Sequence, residues 1–208
     1  STGLVGSEMC IRDRFNVEPG ELIDILSWAM ENPSDTVLVE ADSAPVLENK
    51  MEQTDISVLP IPRHYREDGG RYQSSSIIVA QYGKQRNTSF HRQLLKGPDR
   101  TTVRLVPRHL RTMADQAFEN NEDVPIVVVN GPDPLVLLAA AMSFNEPIDE
   151  LRVASALHER LYGAKLGLVE MPNGVQVPAE SEYAMEARIT TKLDDEGPYV
   201  DITGTVDD

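Results

Sequence analysis

Apolar positions recur with a helical period over residues 19–31, where Leu22, Ile25, Leu26 and Met30 form one stripe. Pro19 suits the first turn, and Glu21 and Asp24 lie near the positive end of that helix. The pattern predicts further helices over 108–120, 135–143 and 149–160, the second opened by Asp133 as N-cap and Pro134 in the first turn. Strand patterning marks 36–40, 56–59 (closed by Pro60 and Pro62), 75–82, 87–95, 102–106 and a buried run at 124–130. Asp68-Gly69-Gly70 and the segment 96–99 read as turns, the latter joining two strands of an antiparallel meander. From residue 165 the pattern is mostly β, with Asn173-Gly174 as a hairpin turn. Antiparallel strands followed by helices, without strict alternation, predict an α+β architecture with a barrel or open sheet over a doubly wound sheet.

Composition narrows the class. With 208 residues, 40% apolar and 25% charged, the chain is an ordinary globular sequence of one or two domains. No apolar run approaches the roughly 18 residues that would predict a membrane-spanning helix. The net charge of -15 argues against a nucleic-acid partner. The single cysteine, Cys10, cannot pair within the chain, which favours a reducing, cytoplasmic setting. Residues 4–13 (LVGSEMCIRD) back-translate onto adapter DNA of sequencing libraries, so 1–14 are set aside as foreign; the abrupt stop over 194–208 reads as a fragment's edge. Charge is unevenly spread: residues 60–111 carry eleven Lys/Arg against three Asp/Glu, and 112–208 carry five against nineteen. The basic stretch is either a surface face or a site for a small anion, such as a cofactor phosphate or a carboxylate substrate.

Dinucleotide-binding, P-loop, zinc-protease and nucleophile-elbow motifs are all missing. On a strand, Asn87, Ser89 and His91 share one face, and Thr88, Phe90 and Arg92 the other. An amide, a hydroxyl and an imidazole make a poor core face and a plausible site wall; a solvated face is the competing reading. His109 sits at a strand-to-helix junction within reach of a ligand, or is simply a helix-start histidine. Glu150 follows Asp149 at a helix start, where capping alone would account for it. Glu182 and Glu186 share one face of a predicted strand, where mutual repulsion near a cavity would keep one protonated; an exposed acidic edge is the alternative.

Seven segments in order, LPIPRHYREDGGRY, RNTSFHRQLL, VRLVPRHL, VPIVVVNGPDPLVLLAAA, IDELRVASAL, VPAESEYAMEA and EGPYVDITGT, resemble the UbiD family of decarboxylases. The resemblance runs from about residue 56. It implies a partial N-terminal α/β domain over 15–65, then a flavin-binding split β-barrel with flanking helices over 66–208, incomplete at its C-terminus. The family's C-terminal domain, which helps form dimers and closes the site, is expected to be absent. The implied cofactors are prenylated FMN, Mn2+ held by Asn87, His109 and Glu150, and K+ on backbone carbonyls around 139–142. Arg92, Glu182 and Glu186 take the family's Arg-Glu-Glu catalytic network. Ser89 lines the cofactor, with Arg92 also beside it, and 72–76 pass close by. The chain departs from the family where Ala187 replaces the usual Gly after the second glutamate, and over 158–167; Glu180 offers a neighbouring register for the carboxylates.

The implied reaction is loss of CO2 from an α,β-unsaturated or aromatic carboxylic acid, the substrate. The wording of EGPYVDITGT and NTSFHR is closest to archaeal-type members acting on anhydromevalonate phosphate in isoprenoid precursor synthesis. A polyprenyl-hydroxybenzoate in quinone biosynthesis is the runner-up. A flavin prenyltransferase and, for the complete protein, a second copy are the implied partners. Two other readings stay open: a flavin- or phosphate-binding module without catalysis, and a fragment not competent alone.

Overall fold

The computed structural model describes residues 15–144, 146–201 and 203–207; the adapter-like segment and Cys10 lie outside the described residues. In chain order the elements are α1 (Pro19–Glu31), β1 (Val37–Leu38), β2 (Tyr72–Gln73), β3 (Ile77–Tyr82), β4 (Gln85–Phe90), β5 (Gln93–Leu95), β6 (Thr101–Val103) and α2 (His109–Glu119). There follow β7 (Val124–Asn130), α3 (Pro134–Ala141), α4 (Glu150–Tyr162), β8 (Gly167–Glu170), β9 (Gln176–Pro178), β10 (Tyr183–Ile189), β11 (Tyr199–Val200) and β12 (Val206–Asp207).

The centre is an antiparallel sheet in the order β10-β7-β3-β4. Its β-branched strands are apolar on both faces because both faces are covered. Ile77, Val79, Val127 and Val129 pack with Leu22 and Ile25 of α1, Leu135 and Ala139 of α3, and Leu151 and Leu157 of α4. On the opposite face, Ile78, Ala80, Ile126 and Val128 meet Leu110, Met113, Ala114 and Ala117 of α2. Each large side chain so buried contributes about 1.5–3 kcal/mol. The helices start where expected: Asp133 accepts from the Leu135 amide at 2.8 Å and Asp149 from the Leu151 amide at 3.1 Å. Gly163, at φ +75, ends α4 in the left-handed conformation.

Three expectations need correcting. Residues 56–58 form a 3-10 turn, not a strand. The Asp55 carboxylate caps the Ser57 amide at 2.9 Å, and the Arg71 guanidinium gathers the carbonyls of Ser57, Leu59 and Ile61, which bends the segment around it. The continuous strand over 87–95 is broken at His91-Arg92, so β4 stays in the central sheet while β5 pairs with β2 and β6. Nor does a barrel close among the described residues: the strands lie in four separate sheets, with β4 and β10 as the outer strands of the central one. Apart from these three, β1 pairs in parallel with β8 and α1 packs on α4, so elements before and after position 65 share one core. Among the described residues no helix is long and apolar enough to cross a membrane.

At the end of β7, Gly131 has φ +61, and a Cβ there would stand 2.8 Å from Cβ of Glu182. Gly131→Ala is therefore expected to destabilise the fold by about 1–3 kcal/mol, from left-handed strain plus the clash. Urea unfolding checks this through a lower midpoint at unchanged slope.

Candidate functional site

One cluster forms where α4 docks on the edge of β4. Arg86 grips Asp149 with Nη2 at 2.7 Å from Oδ2 and Nε at 3.1 Å from both oxygens. Because Asp149 also caps α4, the grip fixes the helix start against the strand. It aims the next residue, Glu150, inward, where only 3% of it is exposed. Asn87 Nδ2 donates to Glu150 Oε1 at 2.9 Å and the Thr88 amide to Oε2 at 2.7 Å. Ser89 Oγ lies 2.9 Å from Asn87 Oδ1 and 3.0 Å from His91 Nε2, and His91 Nδ1 is 3.3 Å from the Arg104 carbonyl. Burial holds His91 below the usual histidine range, although its bond to the Arg104 carbonyl opposes this. A neutral imidazole carries one proton, so it cannot donate to both the carbonyl and the hydroxyl.

Burial pushes the Glu150 carboxyl up to about 7, with Asp149 adding to the rise and the Thr88 and Asn87 donors opposing it. Among the described residues no cationic side chain bonds to Glu150. A buried carboxylate next to an amide oxygen, lacking a counter-charge, fits a hard cation. His109 opens α2, which also packs against β4. No hydrogen bond joins His109 to Asn87 or Glu150, and no three His, Cys, Asp or Glu side chains among the described residues form a metal cage. The structure thus brings Asn87, Ser89 and Glu150 together and leaves His109 on a neighbouring element.

The second cluster is built on Arg92, at the corner between β4 and β5. Its Nε donates to Glu196 Oε1 at 2.5 Å, Nη2 to Glu196 Oε2 at 3.2 Å and Nη1 to Asp207 Oδ2 at 3.1 Å. The guanidinium also lies 4.5 Å from the centre of the Tyr199 ring. The bond to Glu196 is the main reason its pKa is raised, with burial opposing and Asp207 adding. Glu182 and Glu186 are not among its partners. The Glu182 amide bonds to the Asn130 carbonyl at 3.0 Å, with its side chain beside Gly131; the Glu186 carboxylate accepts from the Asn173 amide at 2.6 Å. Both lie along an open cleft of about 1750 Å³ at the β10 edge of the sheet, which Arg92 does not line. The expected Arg92–Glu182–Glu186 grouping is therefore not formed: β10 pairs with β7 at one edge of the central sheet, while β4, which leads into Arg92, is at the other. Glu196, in the segment EGPY, is the carboxylate that sequence reasoning missed. The Gly197-Pro198 turn after it was the available signal, since Gly197 sits at φ +76.

Other expected contributors fall between the clusters. Gln73 Nε2 donates to Asn130 Oδ1 at 2.7 Å, and its buried Oε1 has no partner among the described residues. Gln93 bonds Ser76 at 3.1 Å. At the end of α3 the Ala139 carbonyl accepts the Met142 amide at 3.1 Å.

These features define a mixed α/β protein whose central sheet carries a buried amide–carboxylate pair and a shielded arginine near one edge. The chain belongs to the UbiD family: the description "3-octaprenyl-4-hydroxybenzoate carboxy-lyase Rift-related domain" matches residues 37–208. It is 37% identical over 211 residues to the anhydromevalonate phosphate decarboxylase of Methanothermobacter thermautotrophicus, covering 99% of this chain and 48% of that protein. The enzyme of the same name from Methanocaldococcus jannaschii is 34% identical, covering 98% and 48%. Among solved structures, the UbiD-class enzyme HmfF from Pelotomaculum thermopropionicum, in complex with prFMN, superposes with a TM-score of 0.91 at 32% identity, covering 99% of this chain and 49% of that one. The chain thus spans about half the length of the relatives it matches.

The buried carboxyl predicts a pH dependence. Glu150 holds its proton more tightly folded than unfolded, so its contribution is fully present below its ordinary value of 4.5 and lost as pH rises through about 7. Metal-free protein is expected to lose up to about 3 kcal/mol of stability across that window. Glu150→Gln, which mimics the protonated acid, should flatten that part of the profile, as chemical denaturation at successive pH values would reveal.

Proposed function

We propose that this chain carries the cofactor-binding part of a UbiD-type decarboxylase, acting in the cytoplasm on an α,β-unsaturated or aromatic carboxylic acid. The observation that carries the reading is Arg92, a shielded guanidinium bonded to Glu196 near the buried Asn87–Glu150 pair. Asn87 and Glu150, joined by His109, would hold Mn2+, and carbonyls around 139–142 would hold K+, both beside the cofactor phosphate. Ser89 and the segment 72–76 would line the cofactor within a split-barrel region. When bound, prenylated FMN supplies an electron sink for the bond that breaks. The protein binds the substrate carboxylate at Arg92, orients it and excludes water. The carbon–carboxyl bond breaks, CO2 leaves, and the electron pair left on carbon takes a proton from a carboxyl group. Glu196, ionised while it is bonded to Arg92, would take up a solvent proton and pass it to that carbon, so each CO2 released consumes one proton from solvent.

Anhydromevalonate phosphate is the preferred substrate, because relatives bearing that name match nearly the whole of this chain. A polyprenyl-hydroxybenzoate is the second choice, from the family description. A flavin prenyltransferase would supply the cofactor, and the complete protein would form homo-oligomers.

Two measurements test the reading. Full-length protein made with a prenylated-flavin supply should purify with flavin-like absorbance and about one manganese per chain; a colourless, metal-free protein would sink the cofactor assignment. Arg92→Ala and Glu196→Gln should each lower turnover by about 10²–10⁴-fold while flavin absorbance survives. Near-normal turnover in Glu196→Gln, with loss in Glu182→Gln or Glu186→Gln, would hand the proton to those residues instead.

A further inference from the structure

The segment that delivers Glu196 to Arg92 is short and irregular, and nothing in residues 194–198 fixes its position by regular pairing. What holds it comes from a loop more than a hundred positions earlier. Asp68, 1% exposed, accepts three backbone amides: His64 at 3.1 Å and Tyr65 at 2.8 Å on Oδ2, and Val200 at 2.9 Å on Oδ1. Its carboxylate therefore closes its own loop and ties it to the start of β11. Burial alone would raise the Asp68 carboxyl, but these amides and the nearby His64 outweigh it and hold the group below the usual carboxylate range. The Gly69 amide adds a bond to the Pro198 carbonyl at 2.7 Å.

Tyr72 completes the hold. It is wholly buried, and its hydroxyl stands 2.9 Å from the carbonyl of Glu196 and 3.1 Å from those of Gly197 and Pro198. One proton thus faces three inward-turned carbonyl oxygens. Burial, then the charge of Glu196, push the hydroxyl above the usual tyrosine range, so it remains a donor. The Tyr72 ring also meets Tyr199 edge-on at 4.9 Å, and Tyr199 is the ring lying against Arg92. The fit is tight: a Cβ on Gly69 would come within 3.1 Å of Pro198 Cδ and 3.3 Å of Gly197 Cα.

We propose that Asp68, Gly69 and Tyr72 are positioning residues whose task is to hold the Glu196–Pro198 backbone so that the Glu196 carboxylate chelates Arg92. This rests on the proposed roles of Arg92 and Glu196. The cradle spans two chain segments and ends on the residue that fixes the guanidinium's orientation. A displacement of well under an ångström would trade two parallel hydrogen bonds for one, and misplacement on that scale is costly to a reaction that depends on orientation.

The test uses Tyr72→Phe, which removes only the hydroxyl, and Gly69→Ala, which pushes on the strap without deleting a polar group. In the full chain loaded with prenylated flavin, each should lower kcat by about tenfold, with KM changed by less than about twofold. Independently of turnover, hydrogen exchange of the Arg92 Nε proton, followed by NMR in the unloaded chain, should speed up by about tenfold as the bond to Glu196 loosens. A lower melting temperature with unchanged kcat and unchanged Arg92 exchange would overturn the proposal, leaving the cradle a purely structural tie. Glu196→Gln separates the two ideas. If it keeps turnover, the underlying reading fails; if it abolishes turnover while Tyr72→Phe and Gly69→Ala do not alter kcat, only the positioning role fails.

Discussion

Taking a carboxylate out of water costs several kcal/mol unless donors or a counter-charge replace the solvent. The fold meets that requirement for Glu150 with the edge of its central sheet. Asp149 caps α4 and grips Arg86, so the helix cannot slide along β4 without losing a cap and an ion pair together. With that register fixed, the Asn87 amide and the Thr88 backbone fall on the two oxygens of Glu150. The remaining deficit is electrostatic: neutral donors solvate the charge, but none neutralises it. The helix dock, the sheet edge and the unmatched negative charge are thus three aspects of one arrangement. It puts a preference for cations at the place where the helix start and the strand converge.

Arg92 is organised on the opposite principle. Its charge is matched twice over, by Glu196 and Asp207, and shielded by a tyrosine ring. The same β4–β5 corner separates the two clusters: residues before it serve Glu150, and those after it serve Arg92. A straight strand over 87–95 could not do this, because alternation would carry Asn87 and Arg92 to opposite faces of one sheet. The break at His91-Arg92, with His91 tied to Ser89 and the Arg104 carbonyl, lets one short segment feed two polar sites.

What the sequence made legible was local. The stripe over 19–31, the capping aspartates, the buried run 124–130 and the Asn173-Gly174 turn all involve residues close together in the chain, and the structure has them in those places. The pairing of Asn87 with Glu150 was reached only through the family resemblance, since nothing in their spacing of 63 positions implies contact. What stayed hidden depends on partners still further apart or on irregular backbone. The turn at 56–58 is imposed by Arg71, and the partner of Arg92 is chosen by a strap that Asp68 and Tyr72 hold in place. Strand alternation made Glu182 and Glu186 attractive because it detects shared faces, and it is blind to a carboxylate delivered by a Gly-Pro turn.

The charge asymmetry along the chain has a resolution that neither of its simple readings supplied. Several of the basic side chains between 60 and 111 find acidic partners in the acidic half: Arg86 with Asp149, Arg92 with Glu196, Lys96 with Asp194, Arg104 with Asp207 and Arg111 with Asp115. Others, Arg63 and Arg71, turn their guanidinium groups to backbone carbonyls. The exposed pairs are worth little, about 0–1 kcal/mol each, and serve mainly to set which surfaces meet. The shielded pair at Arg92 differs, because three of the arginine's five N–H groups are already bonded to Glu196 and Asp207. An anion that docks across both terminal nitrogens competes with Asp207 for Nη1. Asp207, at 47% exposure, yields to such competition more readily than Glu196, at 18% and held from below by the cradle. Selectivity at that site is therefore a matter of which acid can replace Asp207 while leaving Glu196 where it is.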